Sequence, residues 1–200
     1  MKTSIYLVRH GEVHNPDDVW YGRLPRYKLS KKGNKEIEQT AEFLASQKID
    51  YIYSSRQLRA VQTAKIIQRA LQIQSINISM RLQEVHSVFQ GKTFARARAA
   101  NFDVFGGKEK NKASEKIEEV LARMQRFIKT TAARHEGNNV VAVSHGDPIM
   151  IVDAWFRGLP ITNESIRPGP KKYIKHGEVF KLTYDQGAVQ SCKSIFNPQV

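Results

Sequence analysis

Two histidines stand where buried strands should end. His10 follows Ile5-Tyr6-Leu7-Val8-Arg9 and His145 follows Val140-Val141-Ala142-Val143-Ser144, and each is succeeded by a glycine, Gly11 or Gly146. Apolar runs of this length, partly β-branched, read as strands covered on both faces, as in a parallel sheet. If both strands are parallel members of one sheet, the two imidazoles arrive at the same carboxyl edge, where open α/β sheets bind their ligands. Arg9 delivers a guanidinium to that edge. A further cation comes from the helix expected after the strand Asp50-Tyr51-Ile52-Tyr53, whose first turn holds Arg56 and Arg59 and no acidic residue. A helix N-terminus favours anions, so cations there cost a few tenths of a kcal/mol unless an anion binds among them. Arg56 is read as facing water. Arg59, about one turn inside, is the candidate ligand for a bound anion.

The elements that must position these groups follow from pattern. Residues 12–29 lack a helical period and contain Asn15-Pro16, Gly22 and Pro25, so they form a long loop over the strand edge. Ser30 caps a helix carrying Ile37, Ala41, Leu44 and Ala45 as its apolar stripe. Ser54-Ser55 is read as the N-cap of the next helix, with Leu58, Val61, Ala64, Ile67 and Leu71 as its inner face. Ile76-Asn77-Ile78 is a short strand, and Arg81-Leu82-Gln83-Glu84 forms another loop at the sheet edge. Residues 89–107 have no clear period. Ser114 is expected to cap an amphipathic helix with Ile117, Val120, Leu121, Met124, Phe127 and Ile128 inward. Asp147 as N-cap and Pro148 at the first helical position start a helix ending at Gly158. Val179–Thr183 and Val189–Ile195 close the chain as a β-hairpin around Asp185-Gln186-Gly187.

The 200 residues fit one domain, with 40% hydrophobic and 26% charged residues and no repeats, the composition of a soluble globular protein. No leader precedes the first strand and no apolar run approaches the ~18 residues of a membrane span, so a cytoplasmic location without membrane attachment is expected. The single cysteine, Cys192, leaves no internal disulfide and no zinc cluster, and is read as a core or strand residue. His10 and His14 have a zinc-like spacing, but Gly11 and Asn15-Pro16 break the helix such a site needs, so no metal is expected. The net charge of +13 attracts anions of any kind. Basic residues are spread along the chain without interleaved aromatics, so nucleic acid is not the expected partner. Oligomeric state is left open.

In order along the chain, Arg9-His10-Gly11-Glu12, Ser54-Ser55 with Leu58-Arg59-Ala60 and Gln62-Thr63-Ala64, Leu82 with Glu84, and Ser144-His145-Gly146 resemble the motifs of the histidine phosphatases, the phosphoglycerate mutase-like superfamily. The resemblance covers residues 4–157. It implies a three-layer α/β/α sandwich with a mostly parallel central sheet, as one domain over residues 1–200 with a variable cap or insertion around 85–113. It also implies a metal-free and cofactor-free site in which His10 is the nucleophile, Arg9, Arg59 and His145 hold the phosphoryl group, and Glu84 is the proton donor. Asn15 and Gly146 are carried over as substrate-binding residues. Two departures stand out: Val85–Gly91 is one residue shorter than the family's segment and has Phe89-Gln90 for its Trp-Glu pair, and Asn15 falls one position early.

Those residue types suit the chemistry. A phosphate monoester dianion repels nucleophiles, so cations must surround the phosphoryl oxygens; Arg9, Arg59 and a protonated His145 are expected to do so. The nucleophile must be a neutral imidazole, and nearby positive charge lowers the pKa of His10 in that direction. Attack gives a phosphohistidine, and Glu84 can protonate the leaving oxygen if its pKa is raised. The expected activity is hydrolysis of a small phosphorylated metabolite. A phosphomutase shares every one of these residues and differs only in the acceptor, and a non-catalytic polyanion-binding module is the alternative from another class. Lys175-His176-Gly177-Glu178 imitates the first motif but precedes its strand, so it is read as a turn delivering His176 to the opposite end of the sheet. His135, near a helix C-terminus, is read as a dipole partner. Lys108, Lys110 and Lys112 are read as a solvated loop, or else as a charged substrate rim.

Overall fold

A computed structural model describes residues 1–105, 114–167, 169 and 172–200. The lysine tract Lys108, Lys110 and Lys112 lies outside the described residues. The elements are β1 (Thr3–Arg9), α1 (Lys31–Ala45), β2 (Tyr51–Ser54), α2 (Leu58–Leu71), β3 (Ile76–Ile78), a 3-10 turn (Met80–Leu82), α3 (Phe94–Ala99), α4 (Ile117–Arg134), β4 (Asn139–Ser144), α5 (Gly146–Phe156), α6 (Asn163–Ile166), β5 (Val179–Asp185) and β6 (Ala188–Phe196). They build one six-stranded sheet in the order β3-β2-β4-β1-β5-β6. The pairs β3 with β2, β2 with β4 and β4 with β1 are parallel, whereas β5 runs antiparallel to β1 and β6 antiparallel to β5.

Strand periodicity of two divides the apolar runs between two faces. Ile5, Leu7, Val140 and Ala142 join one core with Val120, Met124, Phe127 and Ile128 of α4 and Ile149–Val152 of α5. Tyr6, Val8, Val141 and Val143 face the other way, onto Ile37, Ala41 and Leu44 of α1 and Ala60, Ala64 and Ile67 of α2. The expected α/β/α layering is therefore present. Burying one such side chain is worth about 1.5–3 kcal/mol, which favours the unbroken runs Ile5–Val8 and Val140–Val143 ahead of Arg9 and Ser144.

Local signals held unevenly. Ser30 caps α1 as expected, its Oγ accepting from the Gly33 N–H at 2.9 Å. The other caps differ. Ser54 ends β2, and Gln57 rather than Ser54 or Ser55 stands at the N-cap of α2, its side chain making no capping bond to the helix. Before α4 the N-cap is Lys116, whose N–H donates to Glu119 Oε2 at 2.8 Å, while Ser114 Oγ accepts from Val88 N at 3.1 Å. Before α5 the N-cap is His145, so Asp147 and Pro148 fall within the first turn, where proline's missing N–H still costs no helical bond. Arg157 follows α5 as C-cap and Gly158 takes φ +66, the expected glycine stop. The inner face of α2 is turned from the expected one: Arg59, Ala60, Thr63, Ala64 and Ile67 are buried, and Leu58 is 41% exposed. The reason is Arg59 itself, whose partners lie inward. His135 is likewise not a charged dipole partner: its Nε2 meets Tyr53 Oη at 2.9 Å, and burial lowers its pKa.

The aperiodic segment after Glu84 contains α3 and packs with the first loop. Trp20, Phe89, Ala97 and Val104 form a separate apolar cluster, with Phe94, Phe102 and Phe105 against it. Backbone bonds from Trp20 N to Lys92 O at 2.7 Å and from Gly91 N to Trp20 O at 3.0 Å tie the two segments together. Cys192 is buried in β6 as a free thiol. Among the described residues, no helix is long and apolar enough to cross a membrane.

Candidate active site

The parallel pairing of β1 with β4 sets Arg9 opposite Ser144, and the His10 N–H continues the ladder to Ser144 O at 3.1 Å. His10 and His145 thus leave neighbouring strands side by side, with ring centroids 5.1 Å apart. Glycine next to His10 is required by packing, because a Cβ on Gly11 would lie 2.5 Å from the Gly33 carbonyl oxygen and 2.8 Å from Ile37 Cγ1. At Gly146 a Cβ would collide with the Tyr173 hydroxyl. As the first residue of α5, Gly146 also presents a backbone N–H with no carbonyl to meet inside the helix.

Arg59, fully buried, lies between the two imidazoles. Its Nε donates to His10 Nε2 at 3.0 Å, and its Nη2 to His145 Nδ1 at 3.0 Å and to Gly22 O at 2.8 Å. A guanidinium only donates, so both ring nitrogens facing it are acceptors and the tautomers follow. His10 carries its proton on Nδ1 and gives it to Gly11 O at 2.8 Å. His145 carries its proton on Nε2 and gives it to Ser55 Oγ at 2.8 Å and Gln57 Oε1 at 3.1 Å, with Ser55 Oγ donating in turn to Gln57 Oε1. Ser55 and Gln57 therefore set the ring of His145 rather than cap a helix. The guanidinium also rests on the Tyr21 ring, 4.6 Å from its centroid.

Both imidazoles are neutral. Burial first, and the Arg59 charge second, hold the pKa values of His10 and His145 well below the usual histidine range. For His10 this is the expected direction. For His145 it corrects the expectation of a protonated ring: in this structure it orients Arg59 and adds no charge. Arg9 donates through Nη1 to Ile174 O at 2.5 Å and lies 5.3 Å from the Tyr173 ring centroid. Arg9 Nε and Arg59 Nη1 are buried without a hydrogen-bond partner. Leaving a buried donor unpaired costs about 1–3 kcal/mol, and more for a charged group, so two at one place point to an anionic acceptor.

Glu84 is half-buried, and its Oε1 accepts from its neighbour's N–H, Val85 N, at 2.9 Å. Its pKa is raised to about 7, first by burial and then by the Asp147 carboxylate, against the opposing pull of Arg59, the Val85 N–H and Arg167. The Arg23 side chain holds the Glu84 carbonyl at 2.6 Å and is paired with Glu115 at 2.7 Å, which anchors the shortened segment. Asp147 accepts from Tyr173 Oη at 2.7 Å and from Arg167 Nη2. Asn15 is engaged elsewhere: its amide closes its own loop, donating to Val19 O at 2.9 Å and accepting from Val19 N at 3.1 Å.

The structure thus gathers Arg9, His10, Arg59 and His145 at one sheet edge with Gly146 beside them, and Glu84 within their electrostatic reach. Sequence reasoning missed Tyr21, Asp147 as a charge, Arg167, Tyr173 and His176. The last is a correction: because β5 is antiparallel to β1, the turn before it lies at the carboxyl edge of β1, and the His176 ring stands 5.7 Å from that of His10. The expected hairpin pairs β5 only with β6 and carried no such signal, because the direction of β5 against β1 is set by a pairing between distant parts of the chain. Among the described residues, no cluster of three or more His, Cys, Asp or Glu side chains could hold a metal ion.

Fold and site together define an α/β protein with two imidazoles and two guanidiniums gathered at the carboxyl edge of its parallel strands. The family model of the histidine phosphatase superfamily (branch 1) matches residues 5–190, and the chain belongs to that superfamily. Phosphoserine phosphatase 1 of Hydrogenobacter thermophilus is 28% identical, over 80% of this chain and 78% of its own length. The 2,3-bisphosphoglycerate-dependent phosphoglycerate mutase of Thermoplasma acidophilum is 31% identical over 83% and 86%. Among solved structures, Bacillus stearothermophilus YhfR superposes with a TM-score of 0.82 at 26% identity, covering 94% of each chain.

Proposed function

We propose that this chain is a metal-independent phosphomonoesterase acting on a small phosphorylated metabolite through a phosphohistidine on His10. The observation that carries the reading is the buried guanidinium of Arg59 joining His10 Nε2 to His145 Nδ1, each at 3.0 Å, with its own Nη1 and the nearby Arg9 Nε unpartnered. A phosphoryl group entering there gives those donors their acceptors. Its oxygens draw Arg59 away from His10 and expose the Nε2 lone pair, while the Nδ1–H stays on Gly11 O and keeps the ring oriented.

In the first displacement His10 Nε2 attacks phosphorus and the bond from phosphorus to the ester oxygen breaks. Glu84, near half protonation at neutral pH, gives its proton to the departing alkoxide. The negative charge spreading over the equatorial oxygens is stabilised by Arg9, Arg59 and the N–H of Gly146, groups already in place and largely removed from water. In the second displacement water attacks phosphorus, the phosphorus–nitrogen bond breaks, and Glu84 recovers a proton from that water. Preorganised guanidiniums supply the charge stabilisation that a metal supplies elsewhere. The net charge of +13 adds long-range attraction for a dianion.

The relatives named as a phosphatase and as a mutase use the same family frame, and the acceptor of the second step separates the two activities. Purified protein should hydrolyse 4-nitrophenyl phosphate in the presence of a chelator, and His10→Ala should abolish this. Inorganic phosphate should appear in step with product alcohol without any second substrate. Inhibition by chelator reversed by added metal would overturn the mechanism, and transfer only to a second substrate hydroxyl would make the chain a mutase.

A further inference from the structure

His176 is the imidazole that the catalytic scheme leaves unused. The turn carrying it is held from several sides. Gly177 N donates to Arg9 O at 3.0 Å and Arg9 N to Glu178 O at 3.2 Å, which locks the turn to the end of β1. Thr40 Oγ1 reaches Gly177 O at 2.8 Å from α1, and the Glu178 carboxylate accepts from Lys175 N at 2.6 Å and from Ser194 Oγ at 2.5 Å. Position 177 admits only glycine, with φ +71 and with Thr40 Oγ1 and Pro198 Cγ each 2.9 Å from where a Cβ would sit. So firm a mounting places the ring of His176 at 5.7 Å from that of His10.

At the end of this mounting, His176 Nε2 is buried and has no hydrogen-bond partner. Among the described residues five buried side-chain nitrogen or oxygen atoms are unpartnered, and three of them, Arg9 Nε, Arg59 Nη1 and His176 Nε2, belong to residues around His10. Leaving three polar atoms unpaired in one small region is costly unless one ligand satisfies them together. We propose that His176 is a further phosphoryl-binding residue, its Nε2–H donating to an oxygen of the group that Arg9 and Arg59 hold. The inference rests on the phosphomonoesterase reading above and adds a third donor to it. Burial and the surrounding cations Arg9, Lys32, Arg59 and Lys175 keep the ring neutral, so it donates as a neutral imidazole whose tautomer the anion selects.

The test compares His176→Phe, which keeps bulk and loses the donor, with His176→Asn, which keeps an N–H. Wild-type turnover of 4-nitrophenyl phosphate, and its loss in His10→Ala, first decides the phosphomonoesterase reading on its own. Competitive inhibition by orthophosphate and by orthovanadate then reports on the anion site. His176→Phe should lower kcat/KM and weaken inhibition by both anions, each about tenfold or more, as expected for one hydrogen bond to a charged group. The melting temperature should not fall, and His176→Asn should recover at least part of both losses. Should the phenylalanine ring disrupt the turn, His176→Ala against His176→Asn provides the same contrast. Wild-type anion affinity and turnover in a folded His176→Phe or His176→Ala protein would overturn the assignment and leave the phosphomonoesterase standing. Equal losses in the donor-keeping and donor-free variants would overturn it too, in favour of a packing role. A wild-type protein that neither hydrolyses the ester nor binds phosphate would remove the reading beneath it.

Discussion

Asp147→Asn should shift the working range of Glu84 toward acid. A carboxyl with a pKa of about 7 is about half protonated at pH 7, whereas one at the usual 4.5 is only about 0.3% protonated, so the environment of Glu84 raises its acid form by roughly 150-fold. Burial is the first cause and the Asp147 carboxylate the second. Removing that negative charge weakens the upward push and also frees Arg167, now without its anionic partner, to pull the pKa down. Both changes act in one direction. Above its pKa, each unit of decrease removes about tenfold of the acid form. The assay is kcat/KM against pH for an alkyl phosphate and for 4-nitrophenyl phosphate, whose leaving group needs little protonation. For the alkyl ester the alkaline limb should move to lower pH in Asp147→Asn, with a several-fold to tenfold loss near pH 8, and the aryl ester should lose much less. Equal losses on the two esters, or an unmoved alkaline limb, would refute the coupling and leave Asp147 as a support for Tyr173 and Arg167. The same raised pKa has a stability consequence. It favours the folded state fully below the unfolded value and loses that contribution as pH rises through about 7, on the order of 3 kcal/mol at the limit. Glu84→Gln should therefore melt higher than wild type at pH 8 and about the same at pH 4.

The other predictions concern the cations and imidazoles. Arg59→Met should lower kcat by at least about 100-fold and raise the acid limb of the pH profile, because one cause of the low His10 pKa is gone; a nuclear magnetic resonance titration of His10 checks the direction. Burial holds His10, His145 and His176 neutral in the fold, with pKa values depressed well below the usual range. Their contribution to stability is full above about pH 6.5 and is lost as pH falls below it, so chemical denaturation should show stability declining from that point, and less steeply in His176→Phe. Gly146→Ala should displace Tyr173 and cut kcat/KM for phosphate esters by about tenfold or more, with correct folding checked by circular dichroism.

What was legible in the sequence was local. The alternation of Ile5-Tyr6-Leu7-Val8 and of Val140-Val141-Ala142-Val143 between two cores, the cap at Ser30 and the inner stripe of α4 need only neighbouring residues to be read. Arg59 was flagged by an electrostatic conflict in one helical turn, yet its burial rotated the inner face of α2 in a way that hydrophobic period alone cannot register. The caps of α2 and α5 failed for a related reason: Ser55 spends its hydroxyl on His145 and Gln57, and Asp147 spends its carboxylate on Tyr173 and Arg167. His176 was lost because its position depends on the direction of β5, a nonlocal fact. Tyr21, Arg167 and Tyr173 come from irregular loops, where no period announces which way a side chain turns.

The central claim is that His10 Nε2 becomes covalently phosphorylated during turnover. Protein mixed with a 32P-labelled phosphate ester, quenched under alkaline conditions within the first turnovers and digested, should yield one labelled peptide containing His10, its label stable to base, released by acid and carried on Nε2. His10→Ala protein should carry none. Turnover by wild type with no acid-labile label on His10 at any quench time, under conditions in which the second step limits, would contradict the account and point to direct attack by water.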